Sequence, residues 1–231
     1  MHTLNVEFNN IDNESLDLHC ISCGRRQRAQ EKIETQGIPD SNQDYVEHSG
    51  FYEPYNRAMQ FAWKDKLKTA DIYKWLRGYA KLRTSKDPGG YFKANVMSGY
   101  DVDKFSKRYD EFQAVFKINP PFFYLDSGEV PITLTTPGTI TNPGTHVSEP
   151  LIRIVGSGNI TLTINGRTLT FTNIETFIDI DPELAIPYFK NNVNVGEKVV
   201  GDLPYFDVGD NEISWTGSVS EINILGRWRE L

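Results

Sequence analysis

The two cysteines of the chain lie three positions apart, at Cys20 and Cys23, and His19 stands directly before the first. This C-x2-C spacing allows two thiolates to bind one metal ion, so it forms half of a zinc site. The other half is missing, because the chain has no further cysteine and its remaining histidines are isolated in sequence. These histidines are His2, His48 and His146. The pattern favours two reduced thiols at the end of a strand over a metal centre, and we predict no metal ligands.

Two short motifs have the composition of ligand-binding loops but lack the required pattern. The Gly-Ser-Gly sequence at 156–158 suggests a phosphate loop or a nucleophile elbow, yet neither a helix nor a G-x-S-x-G pattern accompanies it, so we interpret it as a β-turn. Asp207, Asp210 and Glu212 are spaced somewhat like calcium ligands, but the twelve-residue register and its closing bidentate Glu are absent. We interpret this second segment as a solvated turn.

Four aromatic residues near the end of the chain are candidates for a sugar-stacking platform, as in a carbohydrate-binding module. They are Tyr205, Phe206, Trp215 and Trp228. However, Ile213 and Trp215 fall on the same face of a predicted strand, so packing in a hydrophobic core explains these aromatics at least as well. Both alternatives stay open at the level of sequence.

No grouping of residues indicates catalysis. The sequence contains neither a recognisable Ser/His/Asp set nor an isolated pair of acids in a motif that performs acid–base chemistry. We therefore predict that the chain is not an enzyme and that it has no catalytic and no cofactor-binding residues.

The charge balance argues against a nucleic-acid binder. The chain has 31 acidic and 24 basic side chains and a net charge of −7, whereas binding to phosphates requires a basic surface. Residues 1–130 carry 18 basic and 19 acidic side chains, and residues 131–231 carry 6 and 12, so the two halves differ in surface charge. No run approaches the ~18 apolar residues of a membrane span, and the start lacks a signal-peptide pattern. We expect a soluble chain made in the cytoplasm, with neither sequence-specific nucleic acid nor a membrane among its partners.

One convincing helix pattern stands in the first half, at about residues 69–83. Its apolar positions share one face of an α-helix, because they are spaced by three or four residues. They are Ile72, Trp75, Leu76, Tyr79 and Leu82. The turn residues at 86–90 are expected to end the helix. Since strand patterns lie on both sides of it, we expect the helix to cover a β-sheet.

The remainder of the first half has the period-two alternation of strands. Predicted strands lie at residues 4–8, 16–21, 45–47, 58–63, 91–97 and 111–118. The segment 49–56 is punctuated by Gly, Pro and Asn and is interpreted as a loop. The sequence that starts at Asn119-Pro120-Pro121 is expected to end the last of these strands. The charged run at 25–35 is interpreted as an edge strand or an exposed arm.

A domain boundary is predicted near residue 130, because six of the twelve prolines fall between Pro120 and Pro150. The predicted domains are residues 1–130 and 131–231. The second is a run of short strands typical of a β-sandwich, and its clearest unit is a hairpin around Asn165-Gly166. The fold class is therefore mainly β, with an N-terminal β-sandwich-like domain covered by one α-helix and a C-terminal β-sandwich.

Motifs in both halves resemble the distal tail protein (Dit) family of siphophages. In the N-terminal half these are Met59 to Asp65, Trp75-Leu-Arg-Gly78, Asp87-Pro-Gly-Gly-Tyr-Phe-Lys-Ala94, Phe112 to Phe116 and Pro121-Phe-Phe-Tyr124. In the C-terminal half they are Asn142-Pro-Gly-Thr145, Ser148-Glu-Pro150, Gly156-Ser-Gly158, Asn165-Gly-Arg167, Gly209-Asp-Asn211, Ile213-Ser-Trp215 and Arg227-Trp-Arg229. The second set is similar to that family's galectin-like sandwich, which is also like a carbohydrate-binding module. The resemblance covers residues 57–231 well.

The resemblance implies a structural hub without an active site, located at the tail tip of a virion. It implies a homo-hexameric ring that joins the tail tube protein to the adhesion device and lets the tape-measure protein and DNA pass. Further implied partners are a tail-associated lysin or tail fibre and a receptor-binding protein. In such a ring, the run at 25–35 is a candidate for strand addition to a neighbouring subunit. The alternative function is a carbohydrate-binding module that recognises host cell-wall glycans.

Overall fold

The computed structural model describes residues 4–40, 42–63, 69–97, 102–103 and 110–231. Over these ranges the chain is mainly β, as the sequence predicts, and α-helix is confined to one short segment. Its contacts group into two compact units, one of residues 1–123 with Leu231 and one of residues 124–230. We call them the first unit and the second unit. Whether each of them folds alone stays a prediction.

The first unit contains a curled β-sheet and a separate hairpin. Its elements are β1 (Val6–Phe8), β2 (Ile11–Asp12), β3 (His19–Ser22), β4 (Glu31–Gly37), β5 (Asp44–Tyr52), β6 (Tyr55–Trp63), α1 (Thr69–Trp75), β7 (Tyr79–Thr84), β8 (Asp87–Val96), β9 (Val102–Asp103) and β10 (Asp110–Leu125). The order in the large sheet is β2-β1-β7-β8-β10-β6-β3, with β9 paired to β10. A single antiparallel bridge joins Leu4, just before β1, to Cys20 of β3, so the sheet curls until its two ends meet.

An aromatic core fills this curled sheet. The ring centroids of Phe8 and Phe116 are 5.2 Å apart, and Phe61 stacks on Phe112 at 5.3 Å. Trp75 of α1 packs edge-on against Phe61 and donates its indole N–H to the carbonyl of Ile11 at 2.8 Å. These inward positions alternate along their strands, which is the pattern from which β1, β6 and β10 were predicted.

The predicted helix at 69–83 is correct only in its first half. Helix α1 ends at Trp75, Gly78 follows at a φ of +80°, and β7 then begins at Tyr79. Ile72, Trp75 and Leu76 are buried as predicted, but Tyr79 is exposed. In β7 it is Leu82 and Thr84, two residues apart, that point inward, so the apparent helical spacing of Tyr79 and Leu82 is a coincidence. The residues at 86–90, expected to end the helix, belong to the turn between β7 and β8 and to β8 itself.

Two predicted interruptions of strands are also wrong. The segment 49–56, interpreted as a loop, contains the end of β5 and the start of β6. Strand β10 continues through Asn119-Pro120-Pro121 to Leu125, and the Asn119–Pro120 peptide is cis. Proline has no backbone N–H to donate to a neighbouring strand. Because the pairing with β6 ends at Ile118, opposite Tyr55, no such N–H is needed from Pro120 and Pro121 on the β6 side of the strand.

The second unit is built on two long strands that pair along most of their length. Its strands are β11 (Ile132–Leu134), β12 (Gly138–Asn142), β13 (Leu151–Ile164), β14 (Arg167–Ile174), β15 (Phe177–Ile180), β16 (Tyr188–Lys190), β17 (Val193–Asn194), β18 (Val199–Val200), β19 (Gly209–Leu225) and β20 (Arg229–Glu230). The first part of β13 lies between β15 and the end of β19, and its last part lies between β14 and the start of β19. Side chains from both parts, including Ile154 and Leu162, face one hydrophobic core.

The predicted hairpin at Asn165-Gly166 is confirmed. Ile164 of β13 pairs with Arg167 of β14, and the two residues between them have φ angles of 49° and 80°. Both central residues of a type I′ turn need positive φ, which Asn and Gly adopt at low cost.

The Gly-Ser-Gly sequence at 156–158 is not the β-turn that we predicted. It lies inside β13, where the pairing with β19 shifts register, so it forms a β-bulge. A Cβ at Gly156 would lie 2.4 Å from the carbonyl oxygen of Ser218, so glycine permits this close approach of the two strands.

Among the described residues, no helix combines the length and the apolar character needed to cross a membrane.

Candidate functional site

The β4–β5 hairpin, residues 31–52, is the element of the first unit that stands apart from the large sheet. Within the described part of the chain, β4 and β5 pair only with each other. Nearly every residue on both strands is exposed. A two-stranded hairpin is marginally stable on its own in water, and each strand leaves one row of backbone N–H and C=O groups unpaired. The hairpin is therefore a candidate for pairing with another chain.

Apolar side chains lie on both faces of this hairpin. The register places Ile33 opposite His48 and Thr35 opposite Val46, so Ile33 and Val46 lie on one face, while Tyr45 lies on the other. Their exposed fractions are 47%, 44% and 56%, and Phe51 nearer the base is 71% exposed. Exposed apolar side chains that are grouped on one element often mark an interaction site. The hairpin thus offers apolar surface to a partner on either face.

Polar contacts hold the base of the hairpin in shape. The carboxylate of Glu31 accepts hydrogen bonds from Nδ1 of His48 at 3.0 Å and from the backbone N–H of Gly50 at 3.2 Å. The hydrogen bond to His48 is the main cause that lowers the pKa of Glu31 below its usual value. Ser49 donates its hydroxyl to the carbonyl of Lys32 at 2.6 Å. These contacts lie where the β4–β5 register shifts, and they fix the twist of the hairpin there.

The charge of the hairpin is opposite to that of the rest of its unit. Residues 31–52 contain five acidic side chains and one basic side chain, a net charge of −4. The other residues of 1–123 contain twelve acidic and seventeen basic side chains, a net charge of +5. Glu34 and Glu47 even stand directly opposite each other, a like-charge pair that destabilises an isolated hairpin. A basic partner surface would relieve this repulsion.

The predicted arm therefore needs adjusting at its start. Residues 25–30 form no strand, Ala29 is buried, and the guanidinium of Arg26 lies 4.6 Å from the ring centroid of Phe123. Residues 25–28 are exposed as predicted, but the paired part of the arm begins at Glu31. It includes β5, of which only residues 45–47 were predicted as strand. The charge of residues 25–35 was the sequence feature that predicted an exposed arm. No comparable feature predicted that β5 is exposed.

The Cys20 and Cys23 thiols lie together, with their sulfurs 3.4 Å apart. Cys23 is buried and Cys20 is half-buried. No group of three or more His, Cys, Asp or Glu side chains within the described ranges is placed to hold a metal ion.

The three acids spaced like calcium ligands do not converge. Asp207 accepts a hydrogen bond from Nδ2 of Asn165 at 2.8 Å, which is the first cause of its lowered pKa, and another from Arg167. Asp210 accepts from the hydroxyl of Thr141 at 2.6 Å. Asp210 and Glu212 lie on β19, so only Asp207 is in a turn. These contacts position the hairpin at Asn165 and do not form an ion site.

The four aromatics do not form a sugar-stacking platform. Phe206 and Trp228 are buried in the core of the second unit, with ring centroids 5.7 Å apart. Trp215 packs against the same core on the face that it shares with Ile213. Tyr205 is covered by the guanidinium of Arg167, 3.7 Å from its ring centroid. Core packing is the correct alternative for Phe206 and Trp228.

Solved structures share this architecture over the whole chain, although no protein-family profile matches the sequence and no curated protein is significantly similar to it. The Dit protein of phage SPP1, a paradigm of the hub of the adsorption apparatus in phages that infect Gram-positive bacteria, superposes with a TM-score of 0.74 at 12% identity, covering 99% of both chains. A chain of the phage P2 baseplate, in its activated conformation with calcium, gives a TM-score of 0.53 at 9% identity, covering 97% of both chains. Both neighbours are components of phage tail structures. This chain therefore has the fold of a phage distal tail (Dit) hub protein, as the resemblance in its sequence predicts.

Proposed function

We propose that this protein is a non-enzymatic hub at the tail tip of a phage virion, and that it assembles as a hexameric ring. The likeness in fold to a Dit hub protein over the whole length of both chains is the observation that carries this proposal. In this role the ring connects the tail tube protein to the adhesion device and to a tail-associated lysin or tail fibre. The tape-measure protein and then DNA pass through its centre.

The ring contact that we propose is made by the β4–β5 hairpin of one copy on the first unit of the next. Three properties of the hairpin support this contact: its unpaired backbone edges, its exposed apolar faces and its charge of −4 against +5 on the remainder of the unit. Pairing with a neighbour satisfies the backbone groups that otherwise promote open-ended association. The contact is head-to-tail, so it closes into a ring when the rotation per subunit divides the circle.

For the second unit we propose a galectin-like β-sandwich that carries receptor-binding parts. Its two long strands, β13 and β19, both contribute side chains from their first and last parts to one hydrophobic core, which supports a sandwich. The acidic excess of residues 131–231 suits a solvated outer surface.

Native mass spectrometry of a hairpin deletion tests the ring contact. The backbone N–H of Glu53 donates to the carbonyl of Gln30 at 2.8 Å, so residues 31–52 can be replaced by a short Gly-Ser link without stretching the chain. We expect the full-length protein to form hexamers and the deletion variant to be a folded monomer, with its fold checked by circular dichroism. A full-length protein that is monomeric at all concentrations, or a ring that persists after the deletion, would overturn the proposed contact.

A double substitution tests the apolar surface of the hairpin without removing the hairpin itself. Ile33→Ser with Val46→Ser removes apolar area from one face, and we expect a larger monomer fraction at equal concentration. The matched control is Val193→Ser with Val200→Ser, since these two valines of the second unit are also exposed on short strands. The control should assemble as the unaltered protein does.

A further inference from the structure

We infer that Cys20 and Cys23 are a redox-modification site, a dithiol that closes to an intramolecular disulfide when it meets a low-molecular-weight disulfide such as oxidised glutathione. The two sulfurs are already 3.4 Å apart, and a disulfide bond is about 2.05 Å long. The thiols therefore need to approach by little more than an ångström. Nothing in this site requires a metal, because no third ligand stands near the pair within the described ranges.

The backbone holds the two cysteines in this position. Cys20 lies in β3 and pairs with Phe61 of β6, and the register then shifts before Ser22 pairs with Gln60. Gly24 follows at a φ of +67°, where a Cβ would lie 2.4 Å from the carbonyl oxygen of Ala58. This combination of bulge and close approach brings Cys23 back against Cys20, so the pair is preorganised by elements that belong to the sheet.

Two basic side chains lie beside Cys23. Arg57 donates from Nε to the Cys23 carbonyl at 2.7 Å, and Lys86 donates from Nζ to the Gly24 carbonyl at 3.1 Å. Among the described residues, the buried Nη1 atom of Arg57 has no hydrogen-bond partner, so this N–H group can stabilise a nearby negative charge. The hydrogen bond from Cys20 lowers the pKa of Cys23, and the charges of Arg57 and Lys86 lower it further. The hydrogen bond to Cys23 and burial raise the pKa of Cys20.

Access, rather than pKa, assigns the roles of the two thiols, because the pKa differences alone would make Cys23 the first nucleophile. Cys20 is half-buried and can meet the oxidant, whereas Cys23 is buried and cannot. The Cys20 thiol passes its proton to the Cys23 thiolate, to which it is hydrogen-bonded, and attacks one sulfur of glutathione disulfide. The first glutathione leaves as a thiolate and takes that proton from Cys23, which leaves a mixed disulfide on Cys20. The Cys23 thiolate then attacks the Cys20 sulfur, the bond from Cys20 to glutathione breaks, and the second glutathione leaves. In total two thiols are oxidised to one disulfide, and one glutathione disulfide is reduced to two glutathione thiols.

The disulfide would form where the curled sheet closes. Cys20 makes the bridge to Leu4 that joins the two ends of the sheet. A disulfide from Cys20 to Cys23 would therefore hold β3 at the place where these ends meet. A chain that leaves a reducing cell, as the proposed tail-tip location requires, meets oxidising conditions outside it. Only this biological setting depends on the proposed function; the chemistry of the pair does not.

Intact mass spectrometry of the purified full chain tests the site. After treatment of the reduced protein with excess oxidised glutathione, we expect a loss of two hydrogen atoms, no thiol left for maleimide after denaturation, and a Cys20–Cys23 cross-linked peptide on digestion without reductant. The Cys23→Ser variant should stop at the glutathione adduct on Cys20, and the Cys20→Ser variant should remain unmodified while folded. If both thiols of the unaltered protein stay free, or if it stops at the mixed disulfide, the proposal is wrong.

Discussion

At the scale of single residues, Arg57 connects three parts of the first unit. Its side chain is fully buried, with Nε bound to the Cys23 carbonyl and Nη2 bound to Asp87, both at 2.7 Å. Asp87 also accepts a hydrogen bond from the hydroxyl of Thr84 at 2.9 Å. The ring of Phe92 lies under the guanidinium, 5.3 Å from centroid to Cζ. One polar side chain thus joins β6, β8 and the segment after β3 inside an aromatic core.

Removing the partner of Arg57 should therefore be costly. We expect Asp87→Ala to lower the free energy of unfolding by about 3–5 kcal/mol, because it leaves a buried guanidinium without its carboxylate. Urea unfolding of the full chain measures this change. The matched control is Asp71→Ala, whose carboxylate makes an exposed contact with Lys74 at 3.7 Å, and its effect should stay below about 1 kcal/mol. Equal losses in the two variants would contradict the structural role that we give to Arg57.

The contacts of single residues also show which features of the structure can be predicted from the sequence and which cannot. The C-x2-C spacing allows Cys20 and Cys23 to meet, but residues three apart in a regular strand point to opposite faces. The register shift after Cys20 is what brings the two sulfurs together. No sequence pattern predicts that Arg57 is buried. Its burial depends on contacts with Cys23 and Asp87, which are distant in sequence and meet it only in the folded sheet. Likewise, the aromatic types of Phe206 and Trp228 fit a sugar platform or a core equally well, and only the surrounding strands decide between them.

At the scale of elements, strands with one buried face were predicted correctly and the end of the helix was not. Phe112, Ala114, Phe116 and Ile118 alternate in sequence and are buried in β10 as predicted. In contrast, Tyr79 and Leu82 continue the helical spacing of Ile72 and Trp75 by chance. Gly78 was the signal that could have separated α1 from β7, since glycine is favoured at the positive φ that follows a helix. Strand β5 could not be predicted in full because neither of its faces is buried, so it has no alternation.

The hairpin of β13 and β14 gives a prediction at this scale. A Cβ at Gly166 would meet no atom within 4 Å, so steric contact is not an issue and only the φ of +80° opposes a side chain. We expect Gly166→Val to cost about 1–3 kcal/mol, since a β-branched residue is strained at positive φ. The difference should be visible as a lower melting temperature by circular dichroism.

The control for this prediction is Gly138→Val. Gly138 lies in β12 and has no positive φ, and the nearest atoms to its Cβ position are 3.9 Å and 4.0 Å away. The same substitution there should change the stability by no more than about 0.5 kcal/mol. If both variants melt like the unaltered protein, the turn does not impose the strain that its φ angles imply.

At the scale of the whole molecule, the chain divides into two groups of contacts, the second of which starts at Tyr124. The proline-rich region suggested a boundary near residue 130, whereas the contacts group residues 124–130 with the second unit. Prolines could not give the boundary more closely, because Pro120 and Pro121 lie inside β10 and interrupt no strand. The contacts of Leu125 and Gly128 define the start of the second unit more closely.

Two fragments of different length test this start. The backbone N–H of Leu125 donates to the carbonyl of Trp228, and that of Arg227 donates to the carbonyl of Gly128, both at 2.9 Å. Leu125 packs against the core of the second unit, and a Cβ at Gly128 would lie 2.3 Å from the backbone nitrogen of Trp228. The segment before residue 131 is therefore in direct contact with the backbone of Arg227 and Trp228, between β19 and β20.

We expect the fragment 124–231 to fold alone as an all-β unit with a cooperative thermal melt. The fragment 131–231 should be less stable by roughly 2–5 kcal/mol, since it loses two backbone hydrogen bonds of about 1 kcal/mol each and the packing of the partly buried Leu125, worth up to about 3 kcal/mol. Circular dichroism measures both melts, and a red shift of tryptophan fluorescence in the shorter fragment would report the exposure of Trp228. A longer fragment without a cooperative transition would mean that the second unit needs the first in order to fold. Equal stability of the two fragments would mean that the segment 124–130 covers Trp228 without stabilising it.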